Sequence, residues 1–203
     1  MDAPLEEDRG IVLGIDPGTI VVGYGAVRRS SSASGRSLLR AEYVEAGVLR
    51  ARRSRPLAER LGVIAEHLEQ LLDEVRPTVV VVERAFAGRN PATALRLGEG
   101  RGLALAIAAR RGCRVVERTP AEAKRLVAGS GAATKSAVAA AVSSLLRLPM
   151  DGVALDATDA LALALSEVHR PDASRRTGPR STDGIARAPG RRVRRTPGPR
   201  AAG

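Results

Sequence analysis

The sequence predicts an α/β domain built on a mixed sheet. Three observations predict it. Short β-branched or apolar runs of strand length alternate with longer segments of helical periodicity. The chain opens on strand, turn, strand with no helix between, which makes an antiparallel start. Glycine and proline then punctuate the order βββαβαβααα, in which the later strands are separated by helices and so run parallel.

The elements follow in order. Ile11–Ile15 is a short apolar run of the buried-strand kind. Asp16-Pro17-Gly18-Thr19 is turn chemistry, because proline lacks a ladder donor and glycine tolerates positive φ. Ile20–Val27 returns as the second strand, Arg28–Ser37 reads as a Ser/Arg/Gly loop, and Arg40–Leu49 is a third strand with Tyr43, Val44 and Val48 as packing residues. Pro56–Val75 is the clearest helix: Leu57, Leu61, Ile64, Leu68, Leu71, Leu72 and Val75 recur three and four apart. Pro77 ends it, and Thr78–Val82 is a β-branched run suited to a strand covered on both sides, delivering Glu83 at its end. Pro91–Arg111 is a second helix, with Gly98 and Gly102 leaving one face bare for close approach, either to a second copy or to its own sheet. Cys113–Glu117 is a short strand, Pro120–Val127 a short helix, and Lys135–Leu148 and Ala154–His169 are two further helices.

Composition narrows the function. The 203 residues carry a net charge of +11, which points to polyanionic partners such as nucleic acid. Of that charge, +8 lies in residues 170–203, a stretch with ten arginines, five prolines, five glycines and almost no apolar content. Such a segment cannot bury enough surface to offset its ordering entropy and is expected to be a disordered basic arm. The expected organisation is an N-terminal extension over 1–9, one folded domain over 10–169 and the tail over 170–203. No apolar run reaches the roughly 18 residues of a membrane span, and the acidic N-terminus is unlike a signal peptide, so a cytoplasmic protein is expected. One cysteine, Cys113, excludes an intrachain disulfide framework. Of 33 basic residues only Lys124 and Lys135 are lysine, and Phe86 is the one phenylalanine. In so arginine- and alanine-rich a chain, the rare residues mark places where a substitute fails.

Four carboxylates stand out. Asp16 and Glu83 each follow an apolar run and close a strand, where a charge is costly without a partner and where open α/β sheets bind ligands. Asp156 and Asp159 are three apart and share a helix face, where they repel unless a cation lies between them. Brought together, the four make an oxygen-rich site of the kind that hard divalent cations occupy. Two such ions can promote phosphodiester hydrolysis by activating a water and stabilising the leaving oxygen.

Gly14-Ile15-Asp16-Pro17-Gly18-Thr19, Gly23-Tyr24-Gly25, Val82-Glu83-Arg84-Ala85-Phe86, Asn90, Ala94-Leu95-Arg96-Leu97-Gly98 and Asp156-Ala157-Thr158-Asp159-Ala160-Leu161-Ala162 together resemble the RuvC family of bacterial Holliday junction resolvases. The resemblance runs from about Ile11 to His169. It implies a ribonuclease H-like fold with a five-stranded sheet, a homodimer, a branch-migration complex of RuvA and RuvB as partner, and paired symmetric nicks in four-way DNA junctions. It implies two Mg²⁺ per site, with Mn²⁺ as a substitute, and products with 5′-phosphate and 3′-hydroxyl ends. The family's four acidic residues fall on Asp16, Glu83, Asp156 and Asp159, its base-contacting aromatic on Phe86, and its two functional basic residues on Lys124 and Lys135. Gly-Ile-Asp-Pro-Gly also opens actin-like ATPases, but those need a second, duplicated phosphate loop, for which this chain has neither room nor repeat. Lys135 opens a helix after a Gly-rich loop, where backbone amides favour an anion. His67 is expected on the boundary of its helix, His169 against a helix C-terminus, and Cys113 as a small apolar packing residue.

Overall fold

The computed structural model describes residues 10–30, 40–84, 91–149 and 152–170. The N-terminal extension, the arginine-rich tail beyond Arg170, and Phe86 and Asn90 lie outside the described residues. The strands are β1 (Ile11–Asp16), β2 (Val21–Ser30), β3 (Arg40–Arg50), β4 (Val79–Glu83) and β5 (Arg114–Arg118). The helices are α1 (Leu57–Val75), α2 (Pro91–Arg110), α3 (Pro120–Ala128), α4 (Lys135–Leu146) and α5 (Leu155–Val168).

These strands form one sheet in the order β3-β2-β1-β4-β5. β1, β2 and β3 pair antiparallel, and β4 and β5 continue the sheet in parallel, so the mixed topology is the expected one. β4 shows why its sequence is a run of valines: Val80 and Val82 enter the core under α1 and α2, while Val79 and Val81 enter the core under α3, α4 and α5. A strand covered on both faces has no polar face to alternate with. α1 buries Ile64, Leu68, Leu71, Leu72 and Val75 and ends where Arg76 adopts the left-handed conformation, its N–H donating to the Leu72 carbonyl. Gly62, on its exposed side, has no neighbour within 4 Å of an added Cβ. Gly62→Ala should therefore stabilise the protein by about 0.5–1 kcal/mol, read as a thermal midpoint roughly 1–4 °C higher.

Three local expectations change. β2 continues through Arg28, Arg29 and Ser30, which read as loop, because the Arg29 side chain is buried with its guanidinium 3.7 Å from Glu167. Tyr43 is 41% exposed and does not pack in the core. Its neighbour Val44 does, at a register shift where Ala26 faces Glu45 but Val27 faces Tyr43. α4 stops at Leu146, two residues early, where Arg147 turns left-handed and the Ser143 hydroxyl donates to the Leu148 carbonyl at 2.6 Å. Cys113 packs beside the first core and donates to the Pro77 carbonyl at 3.3 Å.

α5 is buried from Ala157 to Val168 apart from Asp159. It lies between the sheet and α3 and α4, so it is apolar nearly all round. It comes down on glycines. A Cβ at Gly14 would stand 2.0 Å from the Ala160 carbonyl oxygen, and one at Gly23 would stand 2.1 Å from the Asp156 carbonyl oxygen. The bare sheet surface lets the helix backbone approach until its N-terminal carboxylates reach the strand ends. Among the described residues, no helix is long and apolar enough to cross a membrane.

Candidate active site

The site is built at the carboxyl end of β1 and β4. Ile15 pairs with Val82 in the parallel ladder, so Asp16 and Glu83 stand one step beyond, side by side. Asp16 also sits opposite Gly23 on β2, and Gly23 is the point on which Asp156 rests. Asp156 in the first turn of α5 and Asp159 one turn on complete the set. Asp16, Glu83, Asp156 and Asp159 line one pocket of about 310 Å³ together with Lys124, Lys135, Pro120, Ala123, Val138, Ala162 and Leu163.

The electrostatics of that pocket are unbalanced. Burial, then the charges of Glu83, Asp159 and Asp156, push the Asp16 carboxyl up to about 7, against a smaller opposing pull from Lys135. Burial and Asp159 raise Glu83 as well, with Lys135 and Lys124 opposing. Lys135 donates to Asp159 Oδ2 at 3.1 Å, and that bond and charge raise its ammonium above the usual range. Two lysines against four crowded carboxylates leave net negative charge in a half-buried site. A hard divalent cation fits this donor set, which is all carboxylate oxygen. Among the described residues no group of three or more such side chains is placed closely enough to hold a metal ion by itself.

Local sequence positions the basic residues. Thr119 caps α3: its hydroxyl accepts from the Glu122 N–H, and the Glu122 carboxylate accepts in return from the Thr119 N–H at 2.8 Å. This Thr-Pro-Ala-Glu capping box is a local sequence signal, and it sets the helix that carries Lys124. Thr134 caps α4, taking the Ala137 N–H at 3.2 Å, so fewer amides remain for an anion beside Lys135 than the Gly-rich loop suggested. His169 lies at the opposite end of α5 from the carboxylates, with Nδ1 2.9 Å from the Leu165 carbonyl oxygen, and is a helix-end contact outside the pocket. His67 lies at the α1 boundary as expected, in a separate groove with Tyr24 and Glu74. Gly98 and Gly102 have open space around them, so close packing on the sheet is not their role. Gly100 between them packs closely instead on the turn after β1, with a Cβ that would stand 2.6 Å from the Gly18 carbonyl oxygen.

A mixed five-stranded sheet flanked by helices on both faces, with carboxylates from the adjacent strand ends of β1 and β4 and from α5 lining one pocket, defines a nuclease of ribonuclease H-like fold. The family described as "Crossover junction endodeoxyribonuclease RuvC" matches residues 12–167, and the chain belongs to that family. It is 40% identical over 182 residues to the crossover junction endodeoxyribonuclease RuvC of Marinobacter nauticus, covering 88% of this chain and 99% of the relative. The solved structure of Thermus thermophilus RuvC superposes with a TM-score of 0.69 at 31% identity, over 78% of this chain and 93% of that one. The Thermus thermophilus RuvC in complex with Holliday junction substrate gives 0.67 at 29% identity, again over 78% and 93%. As a member of the family the chain is a metal-dependent endodeoxyribonuclease that hydrolyses phosphodiester bonds.

Proposed function

We propose that this chain resolves Holliday junctions in DNA recombination and repair by paired, symmetric nicks, with Asp16, Glu83, Asp156 and Asp159 as its catalytic carboxylates. The observation that carries this reading is the meeting of those four with Lys124 and Lys135 in one open pocket. The likeness to a relative solved with Holliday junction substrate supports the choice of substrate.

The four carboxylates would hold two Mg²⁺, or Mn²⁺ in their place. Bound, those ions supply water activation and offset charge on the leaving oxygen. The chain's own residues do the rest. Asp16 and Glu83 present oxygens from rigid strand ends, and Asp156 and Asp159 present theirs from the buried α5. Lys135 orients Asp159 through their 3.1 Å contact and brings a cation to the rim, where a phosphate would pass. Lys124 faces the same space from α3. Phe86, next to the β4 end in sequence, is the family's expected base contact. Hydrolysis on the 3′-oxygen side leaves 5′-phosphate and 3′-hydroxyl ends that a ligase can seal.

The working form is a homodimer, which two symmetric nicks require. Its face is α2: Leu95 is 68% exposed, and the open surface at Gly98 and Gly102 follows along the same side of the helix. Leu95→Glu should shift the protein toward monomer in sedimentation at micromolar concentration. The basic tail adds salt-dependent affinity for DNA, and the enzyme acts in the cytoplasm beside the RuvA and RuvB branch-migration complex.

The deciding assay compares a synthetic four-way junction with a linear duplex of the same sequence, with and without Mg²⁺. Paired, metal-dependent nicks confined to the junction are the expected result. Equal cutting of the linear duplex would overturn the junction reading. Junction binding without any cutting would overturn the catalytic one.

A further inference from the structure

Glu167 is fully buried near the C-terminus of α5 and does not line the catalytic pocket. A buried carboxylate is costly unless it is paired and hydrogen-bonded. Here it accepts from Arg114 Nη2 at 2.7 Å and from Arg118 Nη2 at 2.6 Å, with Arg29 Nη2 at 3.7 Å and Arg170 Nη1 at 4.0 Å. Burial alone raises the carboxyl, but the hydrogen bonds and charges of Arg114 and Arg118 outweigh it and hold it below the usual range.

The two short bonds go to opposite ends of β5, since Arg114 opens the strand and Arg118 closes it. At the Arg114 end, the backbone N–H donates to Thr78 at the start of β4, away from the site. The Arg118 end is at the site. Arg118 pairs with Glu83 in the parallel ladder, and its carbonyl accepts from the N–H of Arg84, the residue after Glu83, at 2.7 Å. The next residue, Thr119, is the N-cap of α3, and α3 puts Pro120, Ala123 and Lys124 on the pocket wall.

We propose that Glu167 is a positioning residue for the catalytic centre: by holding Arg118 it fixes the junction between β5 and α3, and so places Lys124 against the substrate. The proposal rests on the reading of Lys124 as a substrate contact.

The test uses the full chain and single-turnover cleavage of a synthetic four-way junction with enzyme in excess, alongside thermal unfolding of each variant. Arg118→Met and Arg114→Met each remove one guanidinium from the same carboxylate, so both should lower the thermal midpoint. Only Arg118→Met should slow cleavage, by about ten-fold, because small displacements of a positioned group carry large rate penalties. Combined with Lys124→Ala, Arg118→Met should add less than about two-fold, since both act through one contact. Combined with Lys135→Ala, it should keep its full effect. Glu167→Gln, if it folds, should show the same pattern. Equal slowing by the two arginine variants, or effects of Arg118→Met and Lys124→Ala that multiply, would reduce Glu167 to a structural ion pair and overturn the proposal. A wild-type rate for Lys124→Ala would overturn the substrate-contact reading itself, and the proposal with it.

Discussion

Asp16→Asn is expected to lose junction cleavage by more than about 10²-fold and yet make the metal-free protein more stable at about pH 8. The activity loss follows because the substitution removes a donor oxygen charge from the centre of the carboxylate set, and even outer partners of metal ligands are worth 10–100-fold. The stability gain follows from the electrostatics. Burial, then Glu83, Asp159 and Asp156, lift the Asp16 carboxyl from 3.8 to about 7. A carboxyl raised by folding contributes stability that is fully present below its unfolded pKa and is lost as pH rises through its folded pKa. Metal-free wild type should therefore lose stability between about pH 4 and pH 7, by an amount on the order of 4 kcal/mol for this group. Asparagine carries no such charge, so the difference between variant and wild type isolates Asp16. Urea unfolding in a chelator at about pH 4.5 and about pH 8 measures it. A variant no more stable than wild type at the higher pH would mean that the carboxylate cluster is not under repulsive strain, and undiminished cleavage would remove Asp16 from the catalytic set.

Gly23→Ala is the second large effect. The added methyl would stand 2.1 Å from the Asp156 carbonyl oxygen and 2.4 Å from its carbonyl carbon, against an ordinary carbon contact of about 3.5–4.0 Å. Both atoms are backbone, so no side chain can swing aside. The N-terminal turn of α5 must lift by more than about 1 Å, carrying Asp156 and Asp159 away from Asp16. Overpacking of this kind costs about 1–3 kcal/mol. A shift of that size at a catalytic group costs about 10²-fold in rate. Junction binding without metal, which rests on surface cations, should change little. Melting, binding and single-turnover cleavage separate the three. Cleavage at the wild-type rate would show that α5 is not held to the sheet through Gly23. The opposite sign expected for Gly62→Ala, where the same methyl meets nothing, makes the pair a direct comparison of one chemical change in two environments.

Much of the architecture was legible because its signals are local. The valine run announced a doubly covered strand, and the apolar spacing from Leu57 to Val75 announced α1. The motif blocks kept their linear order, so the family resemblance and the four carboxylates could be read together. The errors have tertiary causes. Arg28–Ser30 looked like loop because nothing near in sequence explains a buried arginine; its partner, Glu167, is on the last helix. Tyr43 looked like a packing residue because the register shift beside Val44 leaves no local trace. The Thr-Pro-Ala-Glu cap was visible, but its importance was not, because that comes from the pocket that Lys124 faces.

The sequence by itself determined the order of elements, the mixed sheet, the family and which acidic and basic residues to examine. These follow from periodicity, β-branching, turn chemistry and motif order, all of which act over a few residues. Only the tertiary structure decided that Gly14 and Gly23 seat α5 on the sheet and that Gly100, not Gly98 or Gly102, packs on the Asp16 turn. It alone decided that Glu167 gathers arginines from both ends of β5. The physical reason is that close backbone approach and the pairing of a buried charge are properties of surfaces in contact. Those surfaces come from segments far apart in the chain, and no short stretch of either segment carries the shape of the other.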